Sequence, residues 1–367
     1  MIYIFLVVWL VMAAVICFGF HLHFDKNRYL YLKFIVIPLI LVMGFRNYTV
    51  GVDTASYMHY YEIISDATFK EILSGWMYSS MEVGYCLLLK VSSLFVDNYY
   101  FFQILQAIIF NVLIMYFIQE NTQNYFLAYS VFLGMGMYTL SFNITRQMIA
   151  VAIITNAWTL ISKGRKFQAL ILLFIAVSIH TSSIIFLAAY FVYMCRYSQK
   201  LLRVMPILII IIGINYRSML GFAQMHISRF NNYYSNLKDK MDAGFVKIIW
   251  LIIVVLSCFI IYRREKVKMG TLRQEKFDAL CVRAELAGIF SISYIVTQII
   301  GMHFNYFERV GLFFEPFVII VFEEFGKRIV SKAIRQFYYC ALCFFFIMYF
   351  LFGCLTSAQY QYSFFFI

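Results

Sequence analysis

Apolar runs long enough to cross a membrane recur along this chain from one end to the other, with only short polar stretches between them. A helix needs about 20 apolar residues to span a bilayer, and lipid requires every backbone polar group to be bonded within the segment. The fold this dictates is all-α, a polytopic transmembrane helical bundle. Charged residues make up 13% of the chain and hydrophobic ones 63%. Soluble domains carry roughly 25% charged residues, so lipid and not water must solvate this surface. No polar stretch is long enough to fold alone, and residues 1–367 read as a single integral membrane domain. Candidate spans are Ile2–Phe20, Tyr29–Phe45, Tyr99–Ile118, Tyr125–Leu140, Gln147–Ile161, Phe167–Cys195, Leu201–Ile214, Phe245–Tyr262, Asp278–Gly301, Val310–Phe325 and Phe337–Thr356. The first has no positive n-region and no small-residue cleavage site, and reads as a retained span.

The net charge of +12 would point to nucleic acid in a soluble protein. Here the basic residues sit in short loops between apolar runs, so they report topology and exclude a nucleic-acid partner. The loops Arg263–Lys276 and Gly326–Arg335 are the most basic and are expected in the cytoplasm. So are those holding Lys26 and Arg28, Lys163 to Lys166, and Arg196 to Arg203. Counting crossings from these puts both termini outside, with outer loops at about 46–80 and 216–244. Phe167–Cys195 has basic loops at both ends, so it crosses an even number of times. Its break is expected at Ser178–Ser183, where small hydroxyl side chains can bond freed backbone groups. The region between residues 80 and 142 has two solutions. Either Val83–Val96 lies in the interface, with Lys90 in its middle, or Tyr125–Leu140 breaks at Gly134-Met135-Gly136. The first is preferred, which makes roughly twelve spans in all.

The eight cysteines are scattered. The Cys340–Cys343 pair lies inside an apolar run and reads as buried packing. Walker, GxGxxG, HExxH, GxSxG and DxD motifs are absent. Asp239 and Asp242 fall in a mixed-charge loop and read as solvated.

What remains is a set of polar residues that the crossing count places on one face. Arg46 follows the second span, and Val50-Gly51-Val52-Asp53-Thr54 and Tyr57 follow it. Arg146-Gln147 opens a span, His180 marks the break, and Glu308-Arg309 opens a later span. Singly, each has a plain structural role. The arginines could anchor span ends, Asp53 could cap a helix starting at Thr54, and Glu308 could pair with Arg309. Glu82-x-Gly84-Tyr85 reads as a helix start favoured by the dipole. Together, Arg46, Arg146 and Arg309 suit a phosphate or diphosphate bound by charge-assisted hydrogen bonds at the lipid surface. Asp53, His180 or Glu308 is then the candidate base for an attacking hydroxyl, and the three stay open. Tyr57, Trp76, Tyr78, Tyr233 and Tyr234 are aromatic side chains able to stack on sugar rings, although interfacial belts look the same.

This order of elements resembles the EpsG/Wzy family of bacterial polysaccharide polymerases. It runs from Arg46, Val50–Thr54 and Tyr57 through Glu82-x-Gly84-Tyr85 and Arg146-Gln147 to His180-x-Ser182-Ser183. The match covers the second span to about residue 195. Val83 stands where the family often has proline. The resemblance implies an enzyme of the bacterial cytoplasmic membrane that joins oligosaccharide repeat units on undecaprenyl diphosphate at the outer face, for O-antigen, capsule or exopolysaccharide. It implies a fold similar to multi-span glycosyltransferases that use polyprenyl-phosphate donors, with no cofactor or metal. A chain-length regulator and a flippase are the protein partners it suggests. On this reading Arg46, Arg146 and Arg309 bind the leaving diphosphate. The rivals are a flippase of the lipid-linked sugar, which would line a central path with charges, and a ligase using the same donor.

Overall fold

The computed structural model describes residues 1–18, 24–75, 81–194, 204–226, 274–301 and 305–366. The expected span Phe245–Tyr262, most of the basic loop Arg263–Lys276, and Trp76, Tyr78, Tyr233 and Tyr234 lie outside them. The described chain is helical and forms two compact units, Met1–Leu187 with Ile329–Ile367, and Ala188–Arg328.

In the first unit the helices are α1 (Ile2–Phe18), α2 (Phe24–Gly44), α3 (Thr54–Asp66), α4 (Phe69–Ser74), α5 (Val83–Phe95), α6 (Tyr99–Asn121), α7 (Tyr125–Gly134), α8 (Met137–Asn143), α9 (Thr145–Ser162) and α10 (Lys166–Ile179). A 3₁₀ turn at Thr181–Ser183 leads into α11 (Ile184–Met194). The helix α9 is the core of the unit and is buried along nearly its whole length. It packs on α6 and α10, and α6 packs on α2. Small residues on α9, among them Ala150, Ala152 and Ala157, let neighbouring backbones come close. That matters in lipid, where apolar burial no longer drives helices together. Side-chain hydrogen bonds supply specificity. Asn121 Nδ2 donates to Thr159 Oγ1 at 2.7 Å, and Asn156 Nδ2 donates to the Leu113 carbonyl at 2.9 Å. Gln103 Nε2 reaches the carbonyls of Gly44 and Arg46, tying α6 to the end of α2. Each such bond between helices stabilises by about 0.6–2 kcal/mol in a membrane.

A bend is present at the glycine pair, the alternative to the preferred interfacial Val83–Val96, and so is the break expected at Ser178–Ser183. The helices α7 and α8 meet at a 45° bend, at Gly134-Met135-Gly136. Gly136 has φ +87°, a conformation glycine adopts without strain. A Cβ on Gly134 would lie 2.4 Å from the Phe346 Cβ, so glycine also permits close packing there. The second break ends α10 at Ile179, with His180 extended and Ser178 donating back to the Ile175 carbonyl. The segment Val83–Phe95 is a separate helix, and its Lys90 donates to the Ser65 carbonyl at 2.6 Å.

The chain returns to this unit through Lys332–Thr356, which packs on α7 and α1. The second unit holds Met205–His226, Gln274–Gly301, Asn305–Gly311 and Phe317–Lys327, with Gln274–Gly301 at its centre. These helices follow in chain order as α12 (Met205–His226), α13 (Gln274–Gly301), α14 (Asn305–Gly311), α15 (Phe317–Lys327) and α16 (Lys332–Thr356). The helix α12 carries on to His226, into the stretch expected as an outer loop. Among the described residues, α6 and α16 are long and apolar enough to cross a membrane, or three spans if bent α7–α8 is one.

Candidate functional site

Three segments distant in sequence meet in the first unit, at the start of α5, the start of α9 and the end of α10. Glycine makes this possible. A Cβ on Gly84 would sit 2.7 Å from the Ser178 carbonyl carbon and 2.3 Å from its Oγ, so α5 lies against the last turn of α10 only because residue 84 has no side chain. That approach carries Glu82, the residue just before α5, beside His180.

The Glu82 carboxylate is the hub. Its Oε2 accepts from Arg146 Nη1 at 2.7 Å. Its Oε1 lies 3.3 Å from His180 Nδ1 and accepts from the Thr181 N–H at 3.1 Å and the Thr181 hydroxyl at 3.2 Å. Glu82 occupies the N-cap position of α5 yet makes no capping bond. The helix start expected there is real, but the carboxylate faces α9 and α10 instead. Burial pushes the Glu82 carboxyl up. The neighbouring His180 imidazole, the Arg146 charge and the Thr181 amide outweigh it, and hold the group at about 2. Arg146 and His180 are each 21% exposed, so the cluster is packed but reachable. Arg146 also lies over the rings of Tyr57 and Tyr85, 5.9 Å from each centroid, an arrangement that favours a cation. The Tyr85 hydroxyl is held in turn by Gln106 Nε2.

The Val50–Thr54 segment docks on the α8–α9 junction one turn away. Gly51 has φ +96°, and the Asn143 side chain accepts from the Val52 N–H at 2.8 Å. Thr54 Oγ1 donates to the carbonyls of Val50 and Phe142. The helix α3 does start at Thr54, but the Asp53 side chain makes no cap bond. Asp53 stands one turn before Tyr57, which is buried against Tyr85. Arg46 is 1% exposed. Its Nη atoms donate to the carbonyls of Met43 and Phe142 and it lies over the Phe142 ring, while its Nε has no partner among the described residues.

The structure thus brings Arg146 and His180 together through Glu82, which the sequence reading had as no more than a helix start. A signal was there. Glu82, Arg146 and His180 lie in three of the elements that carry the resemblance. Glu308 and Arg309 lie in the second unit on α14, where the Glu308 carbonyl accepts from Gln298 and Arg309 is exposed.

An all-helical bundle of apolar spans that gathers an arginine and a histidine around one glutamate carboxylate defines an integral membrane protein with a polar site at the ends of its helices. The chain belongs to the EpsG family, whose model matches residues 29–366, and this places it in polysaccharide biosynthesis. Neither a curated protein nor a solved structure matches it.

Proposed function

We propose that the protein is a polysaccharide polymerase, a membrane glycosyltransferase that joins undecaprenyl-diphosphate-linked oligosaccharide repeat units at the outer face of the cytoplasmic membrane. The observation that carries this is the Glu82–Arg146–His180 cluster, a cationic group and a basic group held side by side and reachable from outside the protein.

The chemistry follows from those two groups. A hydroxyl of the acceptor unit attacks the anomeric carbon of the growing chain. The new C–O bond forms as the bond to diphosphate breaks, and undecaprenyl diphosphate leaves with the electron pair. His180 takes the hydroxyl proton. Arg146 stabilises the charge that develops on the diphosphate. Of the three candidate bases, His180 is favoured because it shares the Glu82 carboxylate with Arg146. The full protein makes roughly twelve crossings, with both termini outside.

The test is a strain lacking this gene, complemented with wild type or with Arg146→Ala, and a gel of its surface polysaccharide. Wild type is expected to give a ladder and the variant a single-repeat band at equal protein level. A wild-type ladder from Arg146→Ala removes Arg146 from the site. Loss of even the single-repeat band on deletion overturns the polymerase reading in favour of a flippase or ligase.

A further inference from the structure

We propose that Glu82 is a positioning residue of this site, orienting His180 through Nδ1 and fixing Arg146 through its other oxygen, so that base and diphosphate ligand act as one unit. The inference rests on the polymerase reading above and deepens it.

Three observations support it. The first is geometric. The two carboxylate oxygens divide the work, with Oε2 on Arg146 at 2.7 Å and Oε1 facing His180 Nδ1 at 3.3 Å. A carboxylate oxygen 3.3 Å from Nδ1 favours the tautomer with the hydrogen on Nδ1 and the lone pair on Nε2, the nitrogen we assign as base. The second is that the carboxylate is itself braced. Thr181, the residue after the histidine, donates both its N–H and its hydroxyl to the same Oε1. That fixes the backbone of His180 relative to Glu82. The third is that Glu82 makes no local use of its charge. At an N-cap, a carboxylate ordinarily accepts from the first turn of its own helix, and Glu82 does not. Against the effect of burial, these partners also keep it anionic at any working pH.

In the reaction, Nε2 takes the acceptor's hydroxyl proton while the glycosidic C–O bond forms. The anomeric C–O bond to diphosphate breaks, and its electrons leave on undecaprenyl diphosphate beside Arg146. The resulting imidazolium is stabilised by the Glu82 carboxylate and then gives its proton to water. This is the role an acidic residue plays behind a histidine base elsewhere in enzymology.

The test uses membranes carrying the full-length protein and lipid-linked repeat unit extracted from the same strain, with initial elongation rate measured against substrate concentration. Glu82→Gln keeps the size and one acceptor but loses the charge. Its turnover is expected to fall about 100-fold, with apparent KM changed less than about threefold. His180→Gln is expected to do the same, and the double variant to be no slower than His180→Gln alone, because groups that act as a unit are not additive. A residue that only holds the fold would give losses that multiply, and would change KM or protein level as well. If Glu82→Gln does not accumulate, Glu82→Asp keeps the charge at the wrong reach. It is expected to slow turnover about tenfold with His180 present and not at all in the His180→Gln background. Wild-type turnover in Glu82→Gln, or multiplying losses in the double variant, overturns the inference and leaves the polymerase standing. Wild-type membranes that never lengthen a chain overturn the polymerase reading itself, whatever Glu82 does.

Discussion

The Glu82 carboxylate has three partners, one on α9 and two in the turn that follows α10, and its ionisation sets how the site answers to pH. An unfolded glutamate titrates near 4.5, and the folded group is held at about 2. The folded pKa is the lower one, so the carboxylate's contribution to stability is complete above about pH 4.5 and is lost as pH falls towards 2. Wild type and Glu82→Gln should therefore differ in unfolding temperature at neutral pH and converge on acidification through that window. A gap that stays constant down to pH 3 would mean that the pairing with Arg146 and His180 contributes nothing. Arg146→Lys tests the other side of the pair. An ammonium keeps the charge but not the planar fork, so it cannot serve Glu82 and a phosphate oxygen together. Elongation is expected to drop about tenfold or more, the effect of one lost charge-assisted hydrogen bond. Unchanged elongation would show that a point charge is enough.

Helix boundaries decide where these side chains meet, and Gly84 is the tightest of them. Alanine there meets the Ser178 carbonyl carbon at 2.7 Å as well as the Ser178 side chain, so α5 must shift. Overpacking of this kind costs about 1–3 kcal/mol, and it moves Glu82 away from His180. Gly84→Ala is expected to lower both the unfolding temperature and the elongation rate, and Ser178→Gly should restore neither, because the backbone carbon remains. Full rescue by Ser178→Gly would place the clash in the serine side chain alone. Much of this level was legible from the sequence. Apolar length located the helices and the hydroxyl-rich stretch around His180 located the end of α10, whereas the α7–α8 bend falls at the glycine pair that the crossing count offered only as its second solution. The hub was not legible. Glu82 lies 64 residues before Arg146 and about a hundred before His180, and only the packing of α5 on α10 brings it between them. Arg46 was also hidden. As a sequence feature it is an arginine at a span end, whereas in the fold its Nη atoms are bonded to two buried carbonyls.

At the scale of the molecule, the two ends of the first unit are stitched together. Ser363 accepts from the Asn47 N–H at 2.9 Å, the Phe365 N–H donates to Phe45 at 3.1 Å, and the Gly51 N–H donates to Gln359 at 3.0 Å. The Tyr362 hydroxyl donates to Val42, and the Phe365 ring stacks on Tyr100 with centroids 4.2 Å apart. The C-terminal tail therefore lies on the same side as Arg46 and the Val50–Thr54 segment. Asn143 bonds both Val52 and the Tyr360 hydroxyl and precedes Arg146 by one turn, so the Glu82 cluster is on that side too. A reporter joined to the C-terminus consequently reads the side of the membrane on which the site works. Bacterial alkaline phosphatase folds only outside the cytoplasm, where its disulfides can form, and the positive-inside count puts the C-terminus there. A C-terminal phosphatase fusion is expected to be active, while fusions within the basic loop Gly326–Arg335 are expected to be inactive. The reverse pattern would turn the bundle over and put Glu82, Arg146 and His180 in the cytoplasm. No lipid-linked unit already flipped to the outer leaflet could then reach them, and joining repeat units at the outer face would be ruled out by geometry alone.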